Sequence, residues 1–435
     1  TLVVNTSALT VSDAAWATNY VVIKNNATGT ITAASLQVNA SVASKVYDAN
    51  TTSNGLVTYS GLVGGEAVTS NATQSYASKN VLGSGNSTLV VNTSALTVSD
   101  AAWATNYNVV KNNATGTITP ANITAVSGIT ASNKVYDTTN AANANVSGAS
   151  LTGNLDGSNL AVNYASATFN NASAGTQSVN VSGIALTGSQ AGNYQLVAAN
   201  QSTVAGVVIA KAVISLTGNA TVASKVYDGN STAVIGAGPT GTVALGNASS
   251  ANGSITNTPV AGLGNISTVG TYQANGAQLA RDVGAGKVVN LSYTLGDTTN
   301  YSMAVTSGSS TGAITQATNA TWTGGGAAGV WSDPLNWQGG RIGDASNVQS
   351  IIISAGQTAT FDATARPTTV SGITGAGAGS NFTLAGSSMT VAGSPGTSVS
   401  TFTQTGGNLS GNANLVTSTG FNQTGGTINI GTGTA

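Results

Sequence analysis

The sequence predicts an all-β chain of tandem immunoglobulin-like β-sandwich modules followed by a right-handed parallel β-solenoid. The tetrapeptide Lys-Val-Tyr-Asp occurs three times, at Lys45–Asp48, Lys134–Asp137 and Lys225–Asp228. Short alternating β-branched runs recur every 8–12 residues or so between Gly, Asn and Ser clusters, which is typical of sandwich strands. Phe402–Leu409 returns 19 residues later as Phe421–Ile428, and that period suits one rung of a solenoid.

The tandem modules are delimited by a second mark. An Asn-Tyr pair lies near the end of each module and ends in Tyr107, Tyr194 or Tyr301. Because each module ends in a short strand with no Gly/Ser-rich spacer, we expect a semi-rigid array. The predicted domains are a truncated module at 1–33, complete modules at 34–120, 121–211 and 212–317, and the solenoid at 318–435.

Residues 1–33 repeat a later part of the chain. Thr1–Tyr20 is identical to Thr88–Tyr107, so 1–33 is expected to be the C-terminal half of a module. A half module cannot bury both faces of a sheet alone. Its missing half is expected either upstream in a longer protein or in a neighbouring molecule.

Within that half, Ser before Asp-Ala-Ala predicts a capped helical turn at Ser12–Trp16 and again at Ser99–Trp103.

Charge is scarce in this chain. Of 435 residues, 11 are Lys or Arg and 12 are Asp or Glu; His and Cys are absent, and the net charge is −1. This composition lacks the basic stripe of a nucleic-acid-binding protein, the usual general base and the usual zinc ligands. No apolar run reaches the length of a membrane span. We therefore expect no enzyme activity, no cofactor, no bound metal, no nucleic-acid partner and no membrane insertion.

The repeated tetrapeptide and the Asn-Tyr tyrosine are predicted to be scaffold positions. An extended backbone would place Lys and Tyr on one face and Val and Asp on the other. Asp could serve as an ion or ligand group, but we interpret it as an acceptor for backbone N–H groups of the following turn, with Tyr anchoring the core. The predicted scaffold residues are Lys45, Tyr47, Asp48, Lys134, Tyr136, Asp137, Lys225, Tyr227, Asp228, Tyr107, Tyr194 and Tyr301.

Two further groups of residues are candidates for contacts with other molecules. Trp322, Trp331 and Trp337 could form a carbohydrate platform or a cap over the open end of the solenoid. Asn-x-Ser/Thr triplets are frequent, which reflects either alternating Asn/Thr strands or N-linked glycosylation. The candidate glycosylation positions are Asn26, Asn71, Asn113, Asn171, Asn219 and Asn265.

These motifs resemble the YDG repeat of very large bacterial exoproteins of the filamentous-haemagglutinin type. The resemblance rests on Lys225-Val-Tyr-Asp-Gly-Asn, the step Gly65-Glu66 and Gly192-Asn193-Tyr194. Ala49 and Thr138 depart from it, because the family has Gly at this position. The resemblance implies export across the outer membrane, often by a two-partner route, and a role in adhesion, aggregation or biofilm.

The function expected from repeats and resemblance together is that of a stalk segment. We expect a secreted or cell-surface adhesin whose modules make multivalent contacts with a host or neighbouring-cell surface, or with a matrix glycan or protein. The alternative is a self-assembling extracellular structural protein that binds copies of itself in fibres or a sheath.

Overall fold

The computed structural model describes residues 1–244, 253–254 and 266–430. Strands dominate these residues, which confirms the all-β class. The chain forms two compact units. The first contains Thr1–Ser132, Ala141–Asn170 and Ser178–Val207, and the second contains Asn133–Asn140, Asn171–Gln177 and the chain from Val208 onward. We name the predicted modules the first repeat (34–120), the second repeat (121–211), the third repeat (212–317) and the C-terminal region (318–435); their boundaries stay predictions.

Residues 1–33 contain little regular structure. They hold one helical turn, α1 (Trp16–Asn19), and an isolated antiparallel bridge between Leu2 and Ala27. Their apolar side chains face solvent: Leu2 is 63 % exposed and Ile31 is 99 % exposed, whereas the duplicate Leu89 and Ile118 are 0 % and 1 % exposed. Because the local sequence is the same, this difference comes from partner strands present only in the first repeat.

The first repeat pairs its front strands in parallel with its last strands. Its elements are β1 (Ala34–Asn39), β2 (Ser44–Val46), β3 (Thr58–Ser60), β4 (Val68–Ser70), β5 (Thr73–Tyr76), β6 (Ser87–Asn92), β7 (Thr97–Val98), α2 (Trp103–Asn106), β8 (Tyr107–Asn112) and β9 (Ala114–Thr119). β1 pairs with β8 and β2 pairs with β9, both in parallel. β6 pairs antiparallel with β5 and β9, and its side chains alternate between buried and exposed as predicted.

The predicted helical turns exist but are displaced. α1 and α2 begin one turn later than expected, after Ala15 and Ala102, with no side-chain cap. The predicted serine cap is therefore wrong. Asp13 accepts the backbone N–H of Ala15 instead, because its carboxylate is one residue closer to the turn.

The second repeat has the same parallel closure. Its strands are β10 (Ala121–Ile123), β11 (Ala125–Ser127), β12 (Thr130–Ala131), β13 (Lys134–Val135), β14 (Ala144–Asn145), β15 (Ser150–Thr152), β16 (Ala161–Asn163), β17 (Ser166–Phe169), β18 (Gly175–Ser182), β19 (Ala185–Thr187), β20 (Tyr194–Leu196) and β21 (Gln201–Ala210), with 3-10 turns at Gly157–Asn159 and Ala191–Asn193. Within the first unit β10 pairs with β20, and within the second unit β13 pairs with the end of β21.

The third repeat belongs to the second unit. Its strands are β22 (Ala212–Gly218), β23 (Thr221–Ala223), β24 (Lys225–Val226), β25 (Val234–Ala237), β26 (Thr240–Ala244), β27 (Gly253–Ser254), β28 (Ser267–Tyr272), β29 (Gly284–Thr294), β30 (Tyr301–Met303) and β31 (Ser307–Thr315). β22 pairs in parallel with β30, and β24 pairs in parallel with β31. Thus the Lys-Val-Tyr-Asp strand lies beside the last strand of its own repeat in all three copies.

The C-terminal region pairs its strands in parallel throughout the described residues. These strands are β32 (Ala317–Trp322), β33 (Val348–Ile353), β34 (Thr358–Phe361), β35 (Thr368–Gly375), β36 (Asn381–Leu384), β37 (Ser388–Gln404), β38 (Asn408–Gly411), β39 (Leu415–Gln423) and β40 (Thr427–Ile430), with 3-10 turns at Pro334–Asn336 and Gln338–Gly340. Phe402 pairs with Phe421 and Leu409 with Ile428, as the 19-residue period predicts. The Phe421 ring stacks on that of the buried Phe402 with centroids 5.7 Å apart, but it is itself 51 % exposed.

Candidate functional site

The candidate site consists of the ends of the repeats, where the two sequence marks meet. In each copy the tyrosine N–H of Lys-Val-Tyr-Asp donates to a carbonyl at the end of its own repeat. Tyr47 donates to Thr119, Tyr136 to Ala210 and Tyr227 to Thr315, each at 2.8 Å. Since those carbonyls precede the next repeat directly, each tyrosine lies where one repeat ends and the next begins.

The lysine and aspartate of each tetrapeptide form an ion pair. The Nζ–Oδ1 distance is 2.7 Å for Lys45–Asp48, Lys134–Asp137 and Lys225–Asp228. Each ammonium also donates to the carbonyl five residues on, and each aspartate accepts the backbone N–H two residues on. The expectation that lysine and aspartate lie on opposite faces is therefore wrong, because the strand ends at the valine and the chain then enters a turn.

The residue after each aspartate makes this turn in the left-handed region. Its φ is 63° at Ala49, 70° at Thr138 and 85° at Gly229. Only glycine adopts this conformation without strain. The two residues that depart from the family pattern thus keep the turn of the third copy at a conformational cost. At Gly229 a Cβ atom would also lie 2.4 Å from the carbonyl oxygen of Gly340.

We expect Thr138→Gly to stabilise the protein and Gly229→Ala to destabilise it. The first removes a β-branched residue from positive φ and should raise the free energy of unfolding by about 1 kcal/mol. The second adds strain and a steric clash and should cost about 2–3 kcal/mol. Urea unfolding measures both.

Gly64→Ala is the matched control for the clash. Gly64 has φ of 67° and no heavy atom within 4 Å of its Cβ direction. The substitution should therefore lower the free energy of unfolding only through backbone strain, by about 1 kcal/mol. Equal losses for Gly64→Ala and Gly229→Ala would contradict the close approach to Gly340.

The first junction, inside the first unit, joins the first and second repeats through Asp156. The rings of Tyr47 and Tyr194 meet edge to face with centroids 5.3 Å apart. Both hydroxyls donate to Asp156 Oδ2, at 2.8 and 2.7 Å. Lys79 Nζ lies 2.9 Å from Asp156 Oδ1. One carboxylate therefore connects a tyrosine and a lysine of one repeat with a tyrosine of the next.

These contacts shift the pKa values at the junction. Burial raises the pKa of Asp156, but hydrogen bonds from Tyr194, Lys79 and Tyr47 outweigh it, so the pKa lies below the ordinary value of 3.8. Burial and the hydrogen bond to Asp156 raise the pKa of Tyr194 to about 12. The carboxylate is thus ionised and the tyrosine neutral over the whole range near neutral pH.

We expect the contribution of Asp156 to stability to depend on acid pH. A carboxyl whose pKa is lowered by folding stabilises the folded state above its unfolded pKa, and this stabilisation is lost as pH falls through the folded pKa. The difference in unfolding free energy between the wild type and Asp156→Asn should be constant above about pH 5 and shrink below pH 3.8. Urea unfolding at a series of pH values measures it. A difference that grows with acidity would contradict the assignment.

The second junction, inside the second unit, repeats this geometry without the acid. The rings of Tyr136 and Tyr301 meet edge to face at 5.4 Å. Asn300 Oδ1 accepts the backbone N–H of Ala174 at 2.8 Å. The corresponding bond of the first junction runs from the Val81 N–H to Asn193 Oδ1, also at 2.8 Å. The Asn-Tyr pair therefore contacts the preceding repeat with both side chains, which the scaffold role predicted for its tyrosine did not include.

The third junction joins the third repeat to the C-terminal region. The Tyr227 hydroxyl donates to the Ile342 carbonyl at 3.0 Å. Asn347 Oδ1 accepts the Val283 N–H at 2.9 Å, as Asn193 and Asn300 do with their partners. The first residue of β32, Ala317, lies opposite Val348 in the parallel register that Ala212 has with Tyr301. The C-terminal region thus begins with a receiving end like that of a repeat.

Asn347 is a functional residue that sequence reasoning missed. Its sequence signal is the side chain three residues earlier. The Nδ2 of Asn193 donates to Gln190, that of Asn300 to Asp297 and that of Asn347 to Asp344, at 2.7–3.0 Å. This bond orients each amide so that its oxygen points to the preceding repeat.

An ion network surrounds the third junction. Arg281 Nη2 lies 2.9 Å from Asp344, and Arg366 binds both oxygens of Asp282 at 2.7 and 2.8 Å. Asn347 donates to both carboxylates. No sequence pattern predicts that Asp282 and Asp344 converge, yet the structure brings them together. Each carboxylate is paired with an arginine, which is a structural arrangement.

The three tryptophans of the C-terminal region are buried. Trp322, Trp331 and Trp337 are 1 %, 0 % and 2 % exposed. Their rings pack on one another with centroids 4.7–5.6 Å apart. The expectation of a carbohydrate platform is therefore wrong, because no ring face is available for a sugar. Trp322 ends β32, the first of the parallel strands, and Trp331 packs edge to face on Phe361 at the end of β34.

The candidate glycosylation positions differ in the freedom of their amide groups. Asn71 is exposed and its side chain makes no hydrogen bond with any residue the structure describes. Asn26, Asn113 and Asn171 use the side-chain oxygen to accept a backbone N–H. Asn219 Nδ2, the atom a glycan would take, donates to Ser309. Asn265 lies outside the described residues. Glycosylation stays a prediction, and Asn219 is the least suitable of the described positions.

Ion and membrane sites are limited as follows. Within residues 1–244, 253–254 and 266–430 no group of three or more acidic residues could hold a metal ion. In the same residues no helix is long and apolar enough to cross a membrane. Tyr107, the remaining scaffold residue, donates to Glu66 and accepts the Val63 N–H.

The junctions define a class of protein, an all-β chain of tandem repeats in which two junctions contain paired tyrosines. Comparison with known families agrees with this and is more specific. Residues 32–115 and 119–203 each match the YDG domain, so the chain contains two YDG domains. No curated protein and no solved structure matches the chain.

Proposed function

We propose that this chain is a stalk segment of a secreted or cell-surface bacterial adhesin. Its work is mechanical: the repeats provide reach, and their number provides multivalent contacts with a host or neighbouring-cell surface, or with a matrix glycan or protein. We also propose that the parent protein is of the filamentous-haemagglutinin type and is exported by a two-partner route. The two YDG domains and the low charge support this proposal.

The observation that carries the proposal is the position of the ion pairs. Seven ion-pair contacts occur among the described residues. Three close a Lys-Val-Tyr-Asp turn, and four lie at a junction. A chain with 23 ionisable Lys, Arg, Asp and Glu residues thus uses its ion pairs where repeats meet. This distribution suits a protein whose task is to hold repeats together.

Three finer statements about the fold belong to the same proposal. The repeats are β-sandwiches, as the separate sheets β3-β1-β8 and β2-β9-β6-β5 of the first repeat, with the small β4-β7 pair beside them in the topology, support. Residues 212–317 are a third YDG repeat, as Lys225–Asp228 and Asn300–Tyr301 support. Residues 318–435 form a right-handed parallel β-solenoid, as the parallel register and the stack of Phe382, Phe402 and Phe421 support.

The proposal is tested in the bacterium that encodes the chain. Protease treatment of intact cells should cleave the protein, and deletion of 34–317 should leave it exported while reducing attachment to surfaces or to other cells. Deletion of 121–211 alone is the matched control. It removes one repeat but leaves a receiving Asn-Tyr for Tyr47, so attachment should be largely retained. Protection from protease, or unchanged attachment without 34–317, would refute the proposal.

Self-assembly into fibres or a sheath is the second candidate. The exposed apolar side chains of Leu2 and Ile31 favour it, because exposed apolar surface is typical of interaction sites. Electron microscopy of the purified chain distinguishes the two functions. Single particles support the stalk, and regular fibres support assembly.

A further inference from the structure

The first repeat has a receiving end with the same groups as the first junction. The Tyr107 hydroxyl donates to Glu66 and accepts the Val63 N–H at 3.0 Å. The Tyr194 hydroxyl donates to Asp156 and accepts the Leu155 N–H at 3.0 Å. In both cases a side-chain carboxylate accepts a hydrogen bond from the tyrosine hydroxyl of the Asn-Tyr pair.

At this end of the first repeat, among the described residues, the side chains that would bind a preceding repeat lack such partners. Among the described residues Glu66 has no cationic partner, whereas Asp156 binds Lys79. Likewise Asn106 Oδ1 accepts no hydrogen bond there, although its amide is held by Asp100 at 2.8 Å. A cavity of about 440 Å³ lies beside these groups, and Glu66, Asn106 and Tyr107 line it together with residues 31–34.

Beside this cavity, Ile31 and Thr32 have no partner strand among the described residues. Ile31 and Thr32 duplicate Ile118 and Thr119, which pair in parallel with Lys45 and Val46. The two other repeats use an isoleucine in the same way, Ile209 opposite Lys134 and Ile314 opposite Lys225. These three isoleucines are 1 % exposed, whereas Ile31 is 99 % exposed.

We propose that Ile31, Thr32, Glu66, Asn106 and Tyr107 form a receiving face for the Lys-Val-Tyr-Asp end of a further repeat. Its strand pairs in parallel with Ile31–Thr32, and its tyrosine enters the cavity and packs against Tyr107. A lysine placed like Lys79 binds Glu66. In this chain three junctions show this strand pairing, two show the tyrosine pair, and the first shows the lysine–carboxylate pair. This interaction does not depend on any role in adhesion.

The test adds the partner to the full chain. A copy of residues 34–87 is fused in front of Thr1, where it completes a repeat with 1–33. Hydrogen exchange at Ile31 and Thr32 should slow at least tenfold, because these amides become part of a closed sheet. Unchanged exchange would overturn the proposal.

Completion of the sheet alone would also slow that exchange, so a second readout isolates the receiving face. Two substitutions test this face: Lys79→Met in the added copy and Glu66→Gln in the original first repeat. Each should speed hydrogen exchange in the added repeat several-fold. The double variant should do no more than either single change, because the two groups act as a pair. Tyr47→Ala in the copy should abolish protection at the cavity.

Additive effects of the two substitutions, or full protection with the copied Tyr47 replaced, would overturn the proposal. Glu66→Gln in the parent chain is the control and should leave exchange unchanged. Concentration-dependent dimerisation of the parent chain that Glu66→Gln abolishes would show that a second copy occupies the face and would also overturn it.

Discussion

Trp331→Ala is expected to lower the free energy of unfolding of the second unit by about 3–5 kcal/mol, the usual cost of emptying a buried tryptophan site. Trp331 is 0 % exposed and lies between Trp322, Trp337 and Phe361. Its indole N–H donates to the Gly343 carbonyl at 3.1 Å, so truncation also leaves that acceptor unpaired. Denaturant unfolding followed by near-ultraviolet circular dichroism measures the loss.

Trp103→Ala is the matched control, because Trp103 packs only partly buried against the core of the first repeat. Its cost should be clearly smaller and should not affect the transition of the second unit. A loss below about 1 kcal/mol for Trp331→Ala would contradict the buried cluster.

Asp282→Ala is expected to cost about 2–4 kcal/mol, because it breaks a buried ion pair from one side. The Asp282 side chain is 4 % exposed and that of Arg366 is 29 % exposed, so solvent compensates the arginine in part. The substitution also removes the acceptor of the Leu279 N–H and of the Asn347 amide. Urea unfolding measures the change.

Asp362→Ala is the control in the same region. Among the residues the structure describes, the Asp362 carboxylate accepts hydrogen bonds only from Thr364, within its own turn. Its loss should cost less than about 1 kcal/mol. Combining Asp282→Leu with Arg366→Met should recover part of the stability lost in Asp282→Ala, since the unpaired guanidinium is removed as well. A double variant less stable than Asp282→Ala would contradict the pairing.

The sequence predicted the β class, the strands and the marks of the repeats, because these follow from local alternation and recurrence. It did not predict what the marks bind. Tyr47 and Asp156 are 109 residues apart in the chain, and no local pattern links them. A tyrosine that anchors its own core and one that contacts the next repeat have the same sequence environment.

The duplicated segment shows the same limit directly. Tyr20 and Tyr107 end identical runs of twenty residues, yet they are 59 % and 5 % exposed. Alternation determines which side chains can face a core, whereas the strands at 34–87 determine whether a core is there. Of the two alternatives for Trp331, the platform failed for a related reason, since spacing along the chain does not distinguish a buried aromatic cluster from an exposed one.

The left-handed position after each Lys-Val-Tyr-Asp has an evolutionary consequence. A copy with alanine or threonine there can precede another copy, but the copy adjoining Gly340 must carry glycine. Duplicated units are therefore not freely interchangeable. A unit with glycine at this position can stand anywhere in the array, whereas a unit with alanine or threonine there cannot stand next to the C-terminal region.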